Sequence, residues 1–396
     1  MAQRIVYWFR NDLRLTDNEA FLAATNAAKE IIPVFVFDPR QFEHTKLGFR
    51  RTSVLRAQFL IETVANLRAK LRKSGGDLLI RIGEPESIIA QLADDYRAEY
   101  VYTSKEIGPE ETRIESSLSK RLKVSNVDIK LFWMQTLSHA KDLPFPISKL
   151  PLGFDHYYQQ IKNQLKTGTP ASEPSAITLP LEYEAGVIPS LPALGMDPQE
   201  TSSLNISIDV SATSHETTIR EHLGTCITDQ TLSEKSTDAL TDCKLSHYLA
   251  LGGISARSIY HVLQDIQGPA SLKETLLKSL FERDYFHWTL LRYGPRMFKP
   301  SGVIHHFEQR WLNDKTVFQQ WIDGKTADEE INHIMSKVKT TGCVSSAEWQ
   351  KAASYLVQKE NINWTWGAMY FESFLTDYSV SVNWGKWNNL AGVGAN

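Results

Sequence analysis

Residues Ile362–Trp387 read INWTWGAMYFESFLTDYSVSVNWGKW and carry four tryptophans, two tyrosines and two phenylalanines. Trp366, Tyr370, Phe374 and Asp377 recur at helical spacing, which places three rings and a carboxylate on one helix face. The run Ser379-Val380-Ser381-Val382-Asn383 predicts a break in the helix before Trp384-Gly385-Lys386-Trp387. Such a stripe has two readings. It is an aromatic core helix with a polar cap, or its carboxylate and amide stand beside stacked indoles to hold a flat, redox-active heteroaromatic ligand.

The surrounding chain bounds the choice. Its 396 residues are 42% hydrophobic and 22% charged, the balance of a soluble globular protein with more than one domain. A net charge of -3 carries no global nucleic-acid signature, so a DNA site has to be a local basic patch. Cys226, Cys243 and Cys343 lie far apart. They form neither a disulfide framework nor a zinc motif and suit a reducing cytoplasm. The N-terminus lacks a signal peptide's apolar core, and no apolar run reaches membrane-spanning length. His305, His306 and Glu308 cluster without a second ligand group, so no metal site is expected.

Residues 1–133 alternate short apolar runs with amphipathic helices. Ile5–Phe9, Ile31–Phe37, Leu78–Ile82, Tyr100–Thr103 and Asp128–Phe132 read as strands. A helix capped by Asp17-Asn18 and a longer one through Leu55 and Leu71, stopped by Gly75-Gly76, are among the segments between them. This alternation predicts an α/β, Rossmann-like parallel sheet covered on both faces. Neither a dinucleotide fingerprint nor a P-loop is present. Residues 134–215 turn rich in Pro, Ser, Thr and Gly and predict a long linker anchored by Phe145, Phe154 and Leu191. Residues 216–396 read as an all-α domain.

Several stretches then stand in register with one known pattern. Val6–Asn18 reads VYWFRNDLRLTDN, Asp142–Pro151 reads DLPFPISKLP, and Leu245–Arg257 reads LSHYLALGGISAR. Arg283-Asp284-Tyr285-Phe286, Thr341-Gly342, Asp377-Tyr378 through Gly385-Lys386-Trp387, and Ala391-Gly392-Val393-Gly394 follow. Over nearly its whole length the chain resembles the photolyase/cryptochrome family, and most its cryptochrome-DASH branch.

The resemblance implies an FAD-binding helical domain, blue-light excitation of reduced flavin, and electron donation to pyrimidine dimers in DNA. It implies a tryptophan relay of Trp387, nearest the flavin, then Trp364 and Trp311. It places Asn383 at flavin N5, Asp377 and Ser379 near the flavin and its ribose, and Arg283 beside the pocket. Gln230, Asp242, Cys243, Lys244, Leu245 and Ser246 fall on the diphosphate motif. Ser279, Glu282, Ser346, Ala347 and Gln350 fall on the DNA side, and Glu106 on a folate-antenna contact. The family continues for several helices past the position of Trp387, so this reading expects a truncated helical domain with an exposed last aromatic helix, or a substitute surface.

The departures from the pattern bear on function. Asp242-Cys243 replaces a hydroxyl pair, and a carboxylate repels a diphosphate unless a cation intervenes. Gln230 and Glu234 stand where a tyrosine and an arginine are expected. Asn-Arg-x-Arg reads Ser346-Ala347-Glu348-Trp349, and a second aspartate is Ser379. Glu-x-x-Trp reads Ser279-Leu280-Phe281-Glu282, which exchanges a dimer-stacking ring for a carboxylate. Three functions therefore stay open. One is a DASH-type photolyase acting on single-stranded DNA, where no base has to be flipped. Another is a photoreceptor that signals to a protein partner without repair. The third is a flavin-free scaffold. Arg292, Arg296, Lys299 and Arg310, interleaved with Tyr293, Phe298 and Trp311, form either a strand-tracking patch or a charged helix surface.

Overall fold

The computed structural model describes residues 2–197, 216–228, 232 and 236–395. Gln230 and Glu234 lie outside them. Five parallel strands form one sheet: β1 (Ala2–Phe9), β2 (Ala28–Phe37), β3 (Leu79–Ile82), β4 (Tyr100–Ser104) and β5 (Asp128–Phe132), in the order β3-β2-β1-β4-β5. The apolar runs pair because neither face of a parallel sheet is left to water. On one face Tyr7, Phe9 and Phe35 pack with α1 (Glu19–Ala27) and α2 (Val54–Lys73). On the other, Val6, Trp8 and Val34 pack with α3 (Pro85–Asp95) and α4 (Pro109–Val124). Asn18 caps α1 by accepting from the Phe21 N–H.

The linker holds a regular helix, α5 (Phe154–Ile161), which its composition did not predict. Tyr157, Tyr158 and Ile161 are buried on it. Ile177 and Leu194 of the linker pack back against the sheet's core. Asp284, fully buried, accepts from the N–H groups of Leu137 and Ser138 at 3.0 and 2.9 Å. This pins the start of the linker to the longest helix.

The helical half comprises α6 (Glu216–Thr228), α7 (Ala239–Asp242), α8 (Leu245–Ala250), α9 (Ala256–Asp265), α10 (Ala270–Tyr293), α11 (Lys315–Ile322), α12 (Glu329–Thr341), α13 (Ser346–Ser354), α14 (Trp364–Phe374) and α15 (Val380–Leu390). Two sequence expectations change here. The Ser379–Asn383 run does not break a helix, because Ser379 is the N-cap of α15 and Val380–Asn383 form its first turn. The break comes earlier. Helix α14 stops at Phe374, so Asp377 sits in the turn between the helices and not on their shared face. Nor is α15 left exposed. Its residues are all buried or half-buried, with Trp387 and Trp384 packed in the same core as Met297 and Val303.

The two halves lock through the stretches that carried the family pattern. Arg14 donates to the carbonyls of Asp17 at 3.1 Å and Gly252 at 3.0 Å, and the Leu13 N–H donates to Leu251 at 3.1 Å. Gly252 has φ +70, and a Cβ there would collide with the Asn11 carbonyl, so the close approach needs glycine. Asp17, 1% exposed, accepts from Ser255 Oγ at 2.5 Å and from Arg257 Nε at 2.9 Å. Replacing Asp17 by Ala leaves the half-buried Arg257 without its main partner. The expected cost is about 3 kcal/mol of unfolding free energy, measurable by denaturant titration; a loss below about 1 kcal/mol would show that the seam does not depend on this pair.

Candidate cofactor site

A pocket opens among α7, α8, α10, α13 and the turn leading into α15. It comprises about 750 Å³ of space between atoms, open solvent at its mouth included, of which about 60 Å³ admits water. Of the residues that the resemblance places at the cofactor, Ser246, Arg283, Asp377, Ser379 and Asn383 line it, and so do Ser279, Glu282 and Ser346 from the DNA-side group.

Other expected residues lie elsewhere. Leu245 is buried in the helical core. Cys243 is buried with its thiol against Cys226, and that contact, with burial, raises its pKa. Lys244 is exposed in a left-handed conformation. Ala347 and Gln350 are exposed on α13. Asp242 stands just behind the pocket wall. It accepts from Ser236 Oγ at 2.5 Å, the Ser346 N–H at 2.9 Å and Ser346 Oγ at 2.8 Å. Its charge thus stabilises the first turn of α13.

The structure adds Asp238, Thr241, Trp349 and Lys386 to the pocket. Asp238 caps α7 and pairs with Lys386. Burial opposes the Asp238 charge, but Lys386 overrides it and holds the carboxyl below its ordinary range. Lys386 also lies 5.6 Å from the centroid of Trp349. Asp377 accepts from Ser246 Oγ at 2.9 Å and from Thr241 Oγ1 at 3.5 Å. Among the described residues Glu282 has no ion pair or hydrogen bond of this kind, and burial pushes its carboxyl up to about 7. The Arg283 guanidinium donates to the Gln135 carbonyl. The Asn383 amide donates to the Ala368 carbonyl at 3.0 Å, which leaves its oxygen toward the pocket lining.

The three tryptophans that the resemblance places in a relay differ in exposure. Trp311 is half-buried, whereas Trp364 and Trp387 are fully buried. Trp311 and Trp364 both donate their indole N–H to the Pro300 carbonyl, at 3.1 and 3.0 Å. Trp387 lies against the backbone of α14 at Gly367, one turn from Trp364, and any side chain at Gly367 would strike its ring. Among the described residues the buried Trp387 Nε1 has no hydrogen-bond partner. Two further indoles join these: Trp384 meets Trp364 at 5.9 Å and Trp349 meets Trp387 at 5.6 Å. Neither was picked out as a relay residue, although Trp384 stands in the same quoted stretch. Glu106, in contrast, is committed internally. It accepts from the Asn11 N–H and Nδ2, and from Gln135, and pairs with Arg10 at 3.3 Å.

Residues 5–175 match the family described as DNA photolyase, and residues 276–396 match the FAD binding domain of DNA photolyase. A cryptochrome DASH from Gloeobacter violaceus is 32% identical over 99% of this chain and 80% of its own length. The chain belongs to the photolyase/cryptochrome family. A cryptochrome DASH from Synechocystis is also 32% identical, over 98% of this chain and 81% of that relative. The solved Synechocystis cryptochrome superposes with a TM-score of 0.88 at 31% identity, covering 99% of this chain and 82% of that one. An archaeal photolyase from Sulfolobus tokodaii, solved with two FAD molecules, shares the fold at a TM-score of 0.78, 21% identity, and coverage of 100% and 84%.

The residues of this DASH-like chain fit one end of the family's cofactor. Asn383 and the apolar walls of Phe286, Leu249 and Val382 suit a flavin ring. Toward the other end Asp238, Asp377 and Glu282 line the pocket together with Arg283, Lys386 and Ser379, and Asp242 backs it. Glu282 offers a direct check. Its pKa is raised on folding, so the unfolded chain binds fewer protons between about pH 4.5 and 7, and stability falls through that window. Glu282→Gln is expected to leave stability unchanged near pH 4 and to gain about 3 kcal/mol at pH 8. Thermal unfolding of both proteins at the two pH values measures this, and equal stability at pH 8 would contradict it.

Proposed function

We propose that this DASH-family protein is a blue-light-responsive flavoprotein whose tryptophans carry electrons from the surface to the pocket, and that it does not repair pyrimidine dimers. The carrying observation is the placement of the rings: half-buried Trp311 and buried Trp364 share the Pro300 carbonyl, and buried Trp387 packs against Trp349, which lines the pocket. A flavin bound there supplies a ring that absorbs blue light and accepts an electron. The chain supplies the donors. Trp387 and Trp364 sit in apolar surroundings that exclude water, and Trp311 touches solvent, where its oxidised form can be reduced again. Asn383 and Arg283 would hold the ring. Burial, with a smaller contribution from Arg283, drives the His287 pKa down to about 3, so this histidine beneath α15 stays neutral and adds no charge to the site.

Loss of repair follows from Glu282. It occupies the position of the family's dimer-stacking ring, and a carboxyl there gives a pyrimidine pair nothing to stack on. When ionised it also repels the DNA backbone. The second reading, repair in single-stranded DNA, is favoured by one observation: Arg296, Lys299 and Arg310 are exposed around half-buried Trp311. We assign the photoactive region to residues 216–396, the α/β region to 1–133 and the connection to 134–215. Cys226, Cys243 and Cys343 carry free thiols, which suits a cytoplasmic setting. No folate contact is assigned to Glu106, whose oxygens are engaged by the chain's own donors.

Absorption spectra in the dark and under blue light, with an external reductant, test the proposal. The flavin bands are expected to bleach, and Trp387→Phe is expected to slow bleaching at least about tenfold. An unchanged rate in that variant would remove the relay. A thymine-dimer oligonucleotide illuminated with the protein is expected to yield no repaired product; light-dependent product would make the second reading the correct one.

A further inference from the structure

We infer that Trp349, and not Trp387, is the ring that hands the electron to the pocket, so that the relay runs Trp311, Trp364, Trp387, Trp349. This rests on the reading of the pocket as a flavin site and names the last donor that feeds it.

Position comes first. Trp349 lines the pocket, and Trp387 does not. Of the aromatic residues that line it, Phe286, Trp349 and Tyr378, only Trp349 meets Trp387 ring to ring, with 5.6 Å between centroids and 69° between planes. The other ring on Trp387 is Phe371, at 5.4 Å, which lies off the pocket. Electron transfer weakens steeply as the gap between donor and acceptor widens, so the ring on the pocket wall has the advantage over the ring behind it. The Trp349 indole gives one electron to the light-excited ring of the ligand, and Trp387 refills it with one of its own. Trp364 and Trp311 pass the deficit outward, and the external reductant fills it at the surface.

Support and charge point the same way. Trp349 follows the first turn of α13, which is pinned from several sides. Ser345 and Glu348 form a capping box, Lys337 pairs with Glu348 at 2.7 Å, and Asp242 accepts from the Ser346 N–H at 2.9 Å. The ring is buried and held in place. A lone cation beside an indole would oppose its oxidation, and Lys386 lies 5.6 Å from the Trp349 centroid. Asp238 pairs with that ammonium and offsets its field at the ring. Trp349 also stands at the second arginine of the Asn-Arg-x-Arg pattern, which exchanges a fixed charge for an oxidisable ring.

Time-resolved fluorescence of FAD bound to the full-length protein tests this, with bleaching under blue light as a second readout. The first donor quenches the excited ring, whereas a later donor only keeps the electron from returning. Trp349→Phe is therefore expected to lengthen the fluorescence lifetime of bound FAD at least about threefold and to slow bleaching. Trp387→Phe is expected to slow bleaching while the lifetime stays short. A lengthened lifetime in Trp387→Phe, or an unchanged one in Trp349→Phe, would overturn the inference and leave the flavin reading standing. The Trp387→Phe measurement keeps Trp349 in place, so it decides the order even where Trp349→Phe does not fold. If FAD does not bind the unmodified protein, the pocket is not a flavin site, and both readings fall.

Discussion

The contact between Asp17, Arg14, Gly252 and Arg257 sets the position of everything else. It joins the end of the first strand to the turn between α8 and α9, which places the wall of the pocket. The geometry is over-determined. An aspartate with positive φ, a glycine with no room for a Cβ, and two arginines on buried acceptors all have to agree. The sheet's opposite face shows the same strategy, since Arg10 satisfies Glu106 and Glu115 where the strand order reverses. In open α/β sheets that reversal is where ligands usually enter; here it is filled with charge pairs of the chain itself.

The unusual residues of the pocket answer one another. Asp242 and Ser346 are two ends of one interaction, although 104 residues separate them. Asp238 and Lys386 are likewise partners across 148 residues. Trp349 gives Lys386 a ring face and Trp387 a neighbour. Read one at a time, each looks like the loss of a family residue. Together they form a closed network in which each buried charge has a partner, which a buried charge requires. Glu282 is the exception, and its raised pKa is the result.

Much of this was legible beforehand. The five strands follow from short apolar runs between amphipathic helices, and their packing on both faces follows from the absence of alternation. The tryptophans and Asn383 were singled out through the family resemblance of the motifs around them. What was not legible depends on chain path. Asp377 lies off its helix because α14 ends at Phe374, and no spacing rule announces that stop without a glycine or proline. Helix α5 was hidden by the prolines around it. Asp238 and Lys386 carry no signal individually, since a lone Asp and a lone Lys are ordinary surface residues, and only three dimensions bring them together.

The seam also has a consequence in time. Asp17 emerges early from the ribosome, but Arg257 follows 240 residues later. At about 5–20 residues per second, its partner is missing for roughly 10–50 s. During that interval the sheet's leading turn holds an unpaired carboxylate and an incomplete apolar surface. The nascent chain therefore depends on whatever shields that turn, and the last step of assembly is the docking of the helical half onto a partner made long before it.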